Sequence, residues 1–168
     1  SQSDTIHEAV AGEGAFEDCS KLTSIFLPQS VTTIGENAFY GCSSLQSISL
    51  PNGLTSIEKG VFYGCSSLTS ISLPNNIEKI GSFAFFQCYL LESINIPNNT
   101  TSIGLSAFNS CETLSSIVIP NSVTSIGEYA FYNCVSLTIY CEVSSKPKGW
   151  DINWNISKCP VVWDFVSD

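Results

Sequence analysis

The sequence contains no arginine and no methionine, and its single histidine is His7. Six lysines stand against 15 acidic residues, so the formal net charge is −9 at pH 7. A chain of this charge repels phosphate backbones and anionic lipid surfaces, which argues against nucleic acid as a partner. Nucleophilic catalysis by serine needs a nearby base, and His7 lies ahead of the first regular segment. The sequence therefore predicts that the chain is not an enzyme.

Long hydrophobic runs are also missing. No stretch reaches the roughly eighteen apolar residues of a membrane-spanning helix, so no membrane insertion is expected. A carbohydrate-active enzyme would require paired carboxylates, whereas the carboxylates of this chain are scattered along the sequence. Charged residues make up only 12% of the chain, and abundant serine, threonine and asparagine take their place, as in many extracellular proteins. The sequence therefore predicts that the chain binds no cofactor.

What the chain does contain is an internal repeat of 23 residues. Its first three columns are Phe16, Phe39, Phe62, Phe85, Phe108 and Phe131; Cys19, Cys42, Cys65, Cys88, Cys111 and Cys134; and Leu22, Leu45, Leu68, Leu91, Leu114 and Leu137. Isoleucine and proline columns keep the same step through Ile25 to Ile117 and Pro28 to Pro120. Because no step contains an insertion, every copy should follow the same path.

Each copy reads approximately AFxxCxxLxxIxLPxxVxxIGxx. The LxxIxL segment predicts a short strand, which the following proline ends because proline has no N–H for a ladder. The VTSIG-like residues predict a second short strand. The glycine column after it predicts a bend, and AFxxC should close the coil as a single helical or 3-10 turn. That column consists of Gly35, Gly81, Gly104 and Gly127, with Glu58 as its exception.

One such coil cannot bury its own Phe, Leu and Ile side chains, so it is stable only when the next coil covers it. Stacked coils would pair their strands in parallel, about 4.8 Å apart. We therefore expect a right-handed coil stack that forms one domain. Residues 1–15 would be a degraded first coil or an N-terminal cap, residues 16–140 the regular array, and residues 141–168 a C-terminal cap.

The string IGENAFYGCSSLQSISLPNGL, from Ile34 to Leu54, resembles the BspA-like leucine-rich repeat, and the resemblance covers about residues 12–140. It implies an α/β-type leucine-rich-repeat solenoid with a parallel sheet on one face. Members of that family are mostly surface or secreted proteins implicated in adhesion, with no shared catalytic residues. The resemblance thus implies an extracellular or cell-surface, monomeric scaffold that binds protein or glycan. A structural spacer within a longer surface protein is the alternative.

The cysteine column favours buried free thiols that act as small hydrophobic residues. Disulfides within the column and a metal site are the alternatives, but the parallel Cβ vectors and the 23-residue spacing fit neither well. Cys141 and Cys159 lie outside the column. They could form a disulfide or remain two further buried thiols, and the sequence leaves both open. Trp150, Trp154 and Trp163 are expected in the core of the cap.

Two surfaces are candidates for ligand binding. The first comprises outward positions of the predicted strands: Phe26, Gln46, Ser47, Ser70, Glu92, Ser93, Asn95, Ser116 and Val118. Its regular serines could equally be small residues that suit a strand. The second is an aromatic stripe after the core phenylalanines: Tyr40, Tyr63, Phe86 and Tyr132, interrupted by Asn109. Such rings either anchor a partner or lie flat over their own coil.

Overall fold

The computed structural model describes residues 10–168, so the interpretations of His7 and of the other residues before Val10 lie outside it. The described residues form a solenoid of about seven turns, built from short parallel strands without a helix. The strands are β1 (Val10–Ala11), β2 (Thr33–Ile34), β3 (Ser56–Ile57), β4 (Ser70–Ile71), β5 (Lys79–Ile80), β6 (Ser93–Ile94), β7 (Ser102–Ile103), β8 (Ser116–Ile119), β9 (Ser125–Ile126), β10 (Thr138–Cys141) and β11 (Val161–Val162). The expected stack of parallel coils is confirmed.

The strands that follow the leucine of each copy lie side by side and form what we call the strand face. β4 pairs with β6, and β10 lies between β8 and β11. A single bridge between Ser49 and Ser72 extends this pairing by one coil. The second strand of each copy builds a separate stack, with β1 beside β2 and β3, β5, β7 and β9 in consecutive order. All these pairs are parallel, as stacked coils of one direction require.

The proline after each strand of the strand face starts a turn. The N–H of Val31 donates to the carbonyl oxygen of Pro28 at 3.0 Å, and the same bond recurs between Val123 and Pro120 at 3.1 Å. The turn carries the chain from the strand face towards the second stack. Proline therefore ends the strand as its missing N–H predicts.

The core consists of the side-chain columns that the sequence shows. The rings of Phe39 and Phe62 stack with centroids 5.7 Å apart, and those of Phe62 and Phe85 follow at 5.4 Å. The cysteine, leucine and isoleucine columns are buried beside them from Cys42, Leu45 and Ile25 onward. Each ring is covered by the next coil, which is why a single coil could not fold alone.

The segments that contain AFxxC, here called the closing segments, are runs of turns. Alternate N–H groups bond within the coil, as from Tyr40 to Asn37 at 3.0 Å, and to the next coil, as from Phe39 to Val61 at 3.0 Å. The bonds of a 3-10 turn are therefore present at every second residue only. Two positions per closing segment have a positive φ, for example Asn37 (56°) and Gly41 (71°).

The glycine column after the second strand has a role other than the bend that the sequence predicts. Gly35, Gly81, Gly104 and Gly127 have no positive φ. A Cβ on Gly104 would lie 2.5 Å from the backbone N of Ser82, in the preceding coil. At these four positions glycine is needed because two coils approach each other closely, whereas Glu58 occupies the same repeat position in one other coil.

The repeat changes within the copy that contains Phe131 and Leu137. Strand β10 pairs Ile139 with Ile117, a step of 22 residues, so one residue is missing between Leu137 and this strand. The chain then covers the last coil with three tryptophans. Trp150 and Trp154 lie 4.8 Å apart, and the indole N–H of Trp150 donates to the carbonyl oxygen of Val123 at 3.1 Å. Trp163 completes this group at 6.1 Å from Trp150.

Candidate binding surfaces

The strand face contains a shallow polar groove. Its first part has a volume of about 500 Å³ and includes Ser47, Ser70 and Asn75 in its lining. A second part of about 320 Å³ shares Ser70 and Asn75 and continues to Ser93 and Asn95. The groove therefore crosses three successive coils. Its floor is fixed because each of these backbones is bonded to the next coil.

The structure brings the predicted strand-face residues together in three parallel columns, of which Gln46 and Glu92 occupy one. All are exposed except Val118, which is half-buried opposite Tyr140 of β10. A second column holds the serines, and the third runs Phe26, Ser49, Ser72, Asn95, Val118 and Tyr140. Phe26 lies at one end of its column and is 67% exposed. The face is thus polar along its centre, with large side chains at its two ends.

The predicted aromatic stripe divides into two groups. Tyr40, Tyr63 and Phe86 stack on one another at 4.5 and 4.6 Å, so their faces are largely occupied by each other. Tyr132 lies apart from them, because the intervening position of the stripe is Asn109, which is buried. Burial, followed by the electrostatic effect of the neighbouring Tyr40, raises the pKa of Tyr63. The first group therefore mainly contributes to packing between coils.

Each aromatic group borders a notch on the closing segments. Neither notch was predicted from the sequence. One notch, of about 320 Å³, is lined by Asn37, Tyr40, Lys59, Gly60, Tyr63 and Phe83. The other, of about 370 Å³, is lined by Asn109, Tyr129, Tyr132 and Ile156. A signal was present in the sequence. Phe83 and Tyr129 occupy the repeat position that holds Gly14, Asn37 and Gly60 in other coils.

The cysteine column is a row of free thiols. The S–H of Cys88 donates to the carbonyl oxygen of Phe62 at 3.2 Å, and that of Cys111 to Phe85 at 3.3 Å. Burial raises the pKa of Cys42 to about 11 and that of Cys134 to about 12. The buried thiols are therefore neutral and unreactive at physiological pH. Cys19, in the first copy of the column, is exposed.

Cys141 and Cys159 are also free and buried. Because Ile139 pairs with Val161, Cys159 lies next to Leu137 rather than next to Cys141. Four residues of strand separate the two positions, or about 13 Å. A disulfide between them does not fit this register. Of the two alternatives that the sequence left open, the structure contains two buried free thiols. Burial raises the pKa of Cys141 to about 12.

Metal clusters and membrane-spanning helices are absent among residues 10–168. No group of three or more His, Cys, Asp or Glu side chains is placed to hold a metal ion there. Within the same residues, no helix is long and apolar enough to cross a membrane. The described surfaces with shape and chemistry for a ligand thus include the strand-face groove and the two notches.

Comparison with known proteins agrees with this architecture. The family model for the BspA type leucine rich repeat region matches residues 10–138 in six copies. No curated protein matches the chain. A leucine rich repeat protein from T. pallidum is 32% identical, with a TM-score of 0.61 over 76% of this chain and 71% of that one.

Two other solved structures are longer than this chain. A leucine-rich repeat protein from Bacteroides ovatus is 29% identical, with a TM-score of 0.59 over 83% of this chain and 45% of that one. A leucine rich cell surface protein from Faecalibacterium prausnitzii is 28% identical, with a TM-score of 0.66 over 89% of this chain and 49% of that one. The chain spans less than half the length of both.

Proposed function

Since this chain belongs to the BspA-type leucine-rich repeat family, we propose that it is a non-catalytic binding scaffold at a cell surface. In this proposal a protein or glycan ligand occupies the groove of the strand face. The observation that carries the proposal is the continuity of that groove over three coils. The similar cell surface protein from Faecalibacterium prausnitzii supports the location.

The groove suits an extended ligand. Ser47, Ser70 and Ser93 present hydroxyls at the spacing of the coils, about 4.8 Å, and each hydroxyl can donate or accept a hydrogen bond. Asn75 and Asn95 add amide groups at one side. Because the backbone is already ordered by the stack, binding needs little further ordering of the protein.

A structural spacer is the competing function, and one observation favours it. Ser47, Ser70, Ser93 and Ser116 form an unvaried column, which offers a ligand little to distinguish one coil from the next. A spacer should bind no ligand at all. The two functions therefore differ in a direct binding experiment.

The experiment measures binding of the purified chain to a panel of extracellular-matrix proteins and glycans. We expect at least one ligand to bind, and Ser70→Trp, in the middle of the groove, to weaken it by about tenfold or more, which corresponds to about 1.4 kcal/mol. Thr55→Trp is the matched control, because Thr55 is exposed on the second stack. It should leave binding within about twofold, since it lies outside the groove.

Three results would contradict the proposal. Absence of binding to every member of the panel would favour the spacer. A ligand that binds Ser70→Trp and wild type equally would use another surface. Hydrolysis of a polysaccharide that stops when one carboxylate is replaced would show that the chain is an enzyme.

A further inference from the structure

The notch beside Tyr132 has two exposed aromatic rings that are inclined to each other. Phe83 and Phe86 have a similar arrangement beside the other notch, but both are half-buried. The rings of Tyr129 and Tyr132 have centroids 5.8 Å apart and planes inclined by 65°. Tyr132 is 49% exposed and Tyr129 is 36% exposed. Ile156, which is also exposed, and the buried Asn109 complete the notch. Two inclined rings leave an open corner into which a flat side chain can fit.

The backbone conformation at Tyr129 is unfavourable for an aromatic residue. Its φ is 58°, in the left-handed region that glycine and asparagine tolerate best. The same repeat position holds Gly14, Asn37 and Gly60 in other coils. A bulky residue that is held in this conformation costs conformational energy, and such outliers cluster at functional sites. The notch thus depends on a ring that the local backbone does not favour.

The charge next to this corner is negative. Glu128 directly precedes Tyr129, and its carboxylate accepts a hydrogen bond from the side-chain amide of Asn153 at 3.2 Å. The pKa of Tyr129 is raised mainly by the charge of Glu128 and by the hydrogen bond between this carboxylate and the phenol. Asp151 makes a smaller contribution in the same direction. The other notch differs, because Lys59 is part of its lining. Of these two notches, the Tyr129–Tyr132 notch has the more exposed ring pair and no lysine in its lining.

We propose that the Tyr129–Tyr132 notch receives an arginine side chain of a basic protein partner. The guanidinium would lie against the tyrosine rings and donate hydrogen bonds to the Glu128 carboxylate. A planar guanidinium stacks on rings and pairs with a carboxylate more specifically than a lysine ammonium does. The occupant is not another copy of this chain, which contains no arginine. This inference rests on the proposed role as a binding scaffold but uses a different face.

The test uses three blocked tripeptides, Gly-Arg-Gly, Gly-citrulline-Gly and Gly-Lys-Gly, titrated into the folded chain. Aromatic NMR resonances of the tyrosines report which rings are contacted. Citrulline has the shape of arginine without its charge. We expect the arginine peptide to shift the Tyr129 and Tyr132 resonances in a saturable way, the lysine peptide to bind more weakly, and the citrulline peptide to bind least.

Four variants locate the site. Tyr132→Leu should weaken arginine binding by about two- to thirtyfold, the range of one cation–π contact, and Glu128→Gln should weaken it several-fold. Tyr40→Leu is the matched control, since Tyr40 has the same repeat position in the notch that contains Lys59, and it should not change binding. Tyr129→Asn should bind less and keep its melting temperature, because Asn37 occupies the same position with a φ of 56°.

Equal binding of the arginine and citrulline peptides would overturn the inference, as would an unchanged affinity of Tyr132→Leu. A clearly lower melting temperature of Tyr129→Asn would show that the ring serves packing, and would overturn it too. These results are independent of the ligand panel for the strand face. If Ser70→Trp abolishes binding to a ligand of the panel and the arginine peptide does not bind, only the notch proposal is wrong. If the arginine peptide binds at the notch and no ligand of the panel binds the strand face, only the strand-face function is refuted.

Discussion

Replacing Gly104 by alanine tests whether close contact between coils holds the solenoid together. Gly104 follows β7, and its N–H donates to the carbonyl oxygen of Ile80 at 2.8 Å. An added Cβ would lie 2.5 Å from the backbone N of Ser82 and 2.7 Å from the carbonyl carbon of Gly81. Both atoms belong to the backbone of the preceding coil, so no side chain can rotate away to make room.

The cost follows from the distance that has to be made up. Ordinary contacts of a Cβ begin at 3.4 Å, so the two coils would have to separate locally by 0.9 Å. Overpacking of this kind costs about 1–3 kcal/mol, and a weakened hydrogen bond to Ile80 adds about 1 kcal/mol. We expect Gly104→Ala to lower the free energy of unfolding by about 2–4 kcal/mol. For a domain of this size the melting temperature would fall by about 4–16 °C.

The assay is urea and thermal unfolding followed by circular dichroism, with Gly53→Ala as the matched control. A Cβ on Gly53 would meet only a methyl carbon of Thr32, at 3.7 Å, and Gly53 has no positive φ. Alanine there should leave stability unchanged or raise it by up to about 1 kcal/mol. The reasoning would be refuted if Gly104→Ala were as stable as wild type to within about 0.5 kcal/mol, the usual spread of harmless surface changes.

Two further predictions concern the thiols and the left-handed positions. At pH 8 a thiol reagent should label Cys19 alone in the folded chain and all eight cysteines in denaturant, because seven thiols are buried. Burial raises the pKa of these thiols, so the unfolded chain loses their protons at a lower pH than the folded chain does. The stability that the buried thiols contribute is therefore fully present below about pH 8.5 and is lost as the pH rises towards 11–12. A free energy of unfolding that stays constant from about pH 8 to 11 would contradict this prediction. Gln87→Gly should raise the free energy of unfolding by about 0.5–1 kcal/mol, because Gln87 has a φ of 59°. Gln46→Gly, on the strand face, should lower the free energy of unfolding by a similar amount. Urea unfolding of the two variants would therefore show changes in stability of opposite sign.

Much of the fold could be predicted from the period. Phe39, Phe62 and Phe85 stack in line because equal steps without insertions give equal paths, and the prolines end the strands for want of an N–H. The strand-face positions could be predicted too, since residues that alternate with buried isoleucines point outward. Of that set only Val118 is less exposed than expected, because β10 lies beside it.

The sites on the closing segments could not be predicted in the same way. Their positions with positive φ are evident where the residue is Gly60 or Gly64, and hidden where it is Phe83, Gln87 or Tyr129. The angle between the rings of Tyr129 and Tyr132 depends on that hidden backbone conformation. The hydrogen bonds from the thiols to the phenylalanine carbonyls likewise follow from how closely one coil approaches the next.

By itself, the sequence determined which side chains lie above one another, because a constant period fixes superposition and burial of like residues. Only the tertiary structure decided the distances between coils, the dihedral angles of the closing segments and the 22-residue step before β10. Hydrophobic patterning depends on which residues leave water, whereas close backbone approach and left-handed residues depend on how hydrogen bonds between coils are satisfied. That second set of constraints leaves Gly104 without a side chain and brings Tyr129 beside Tyr132.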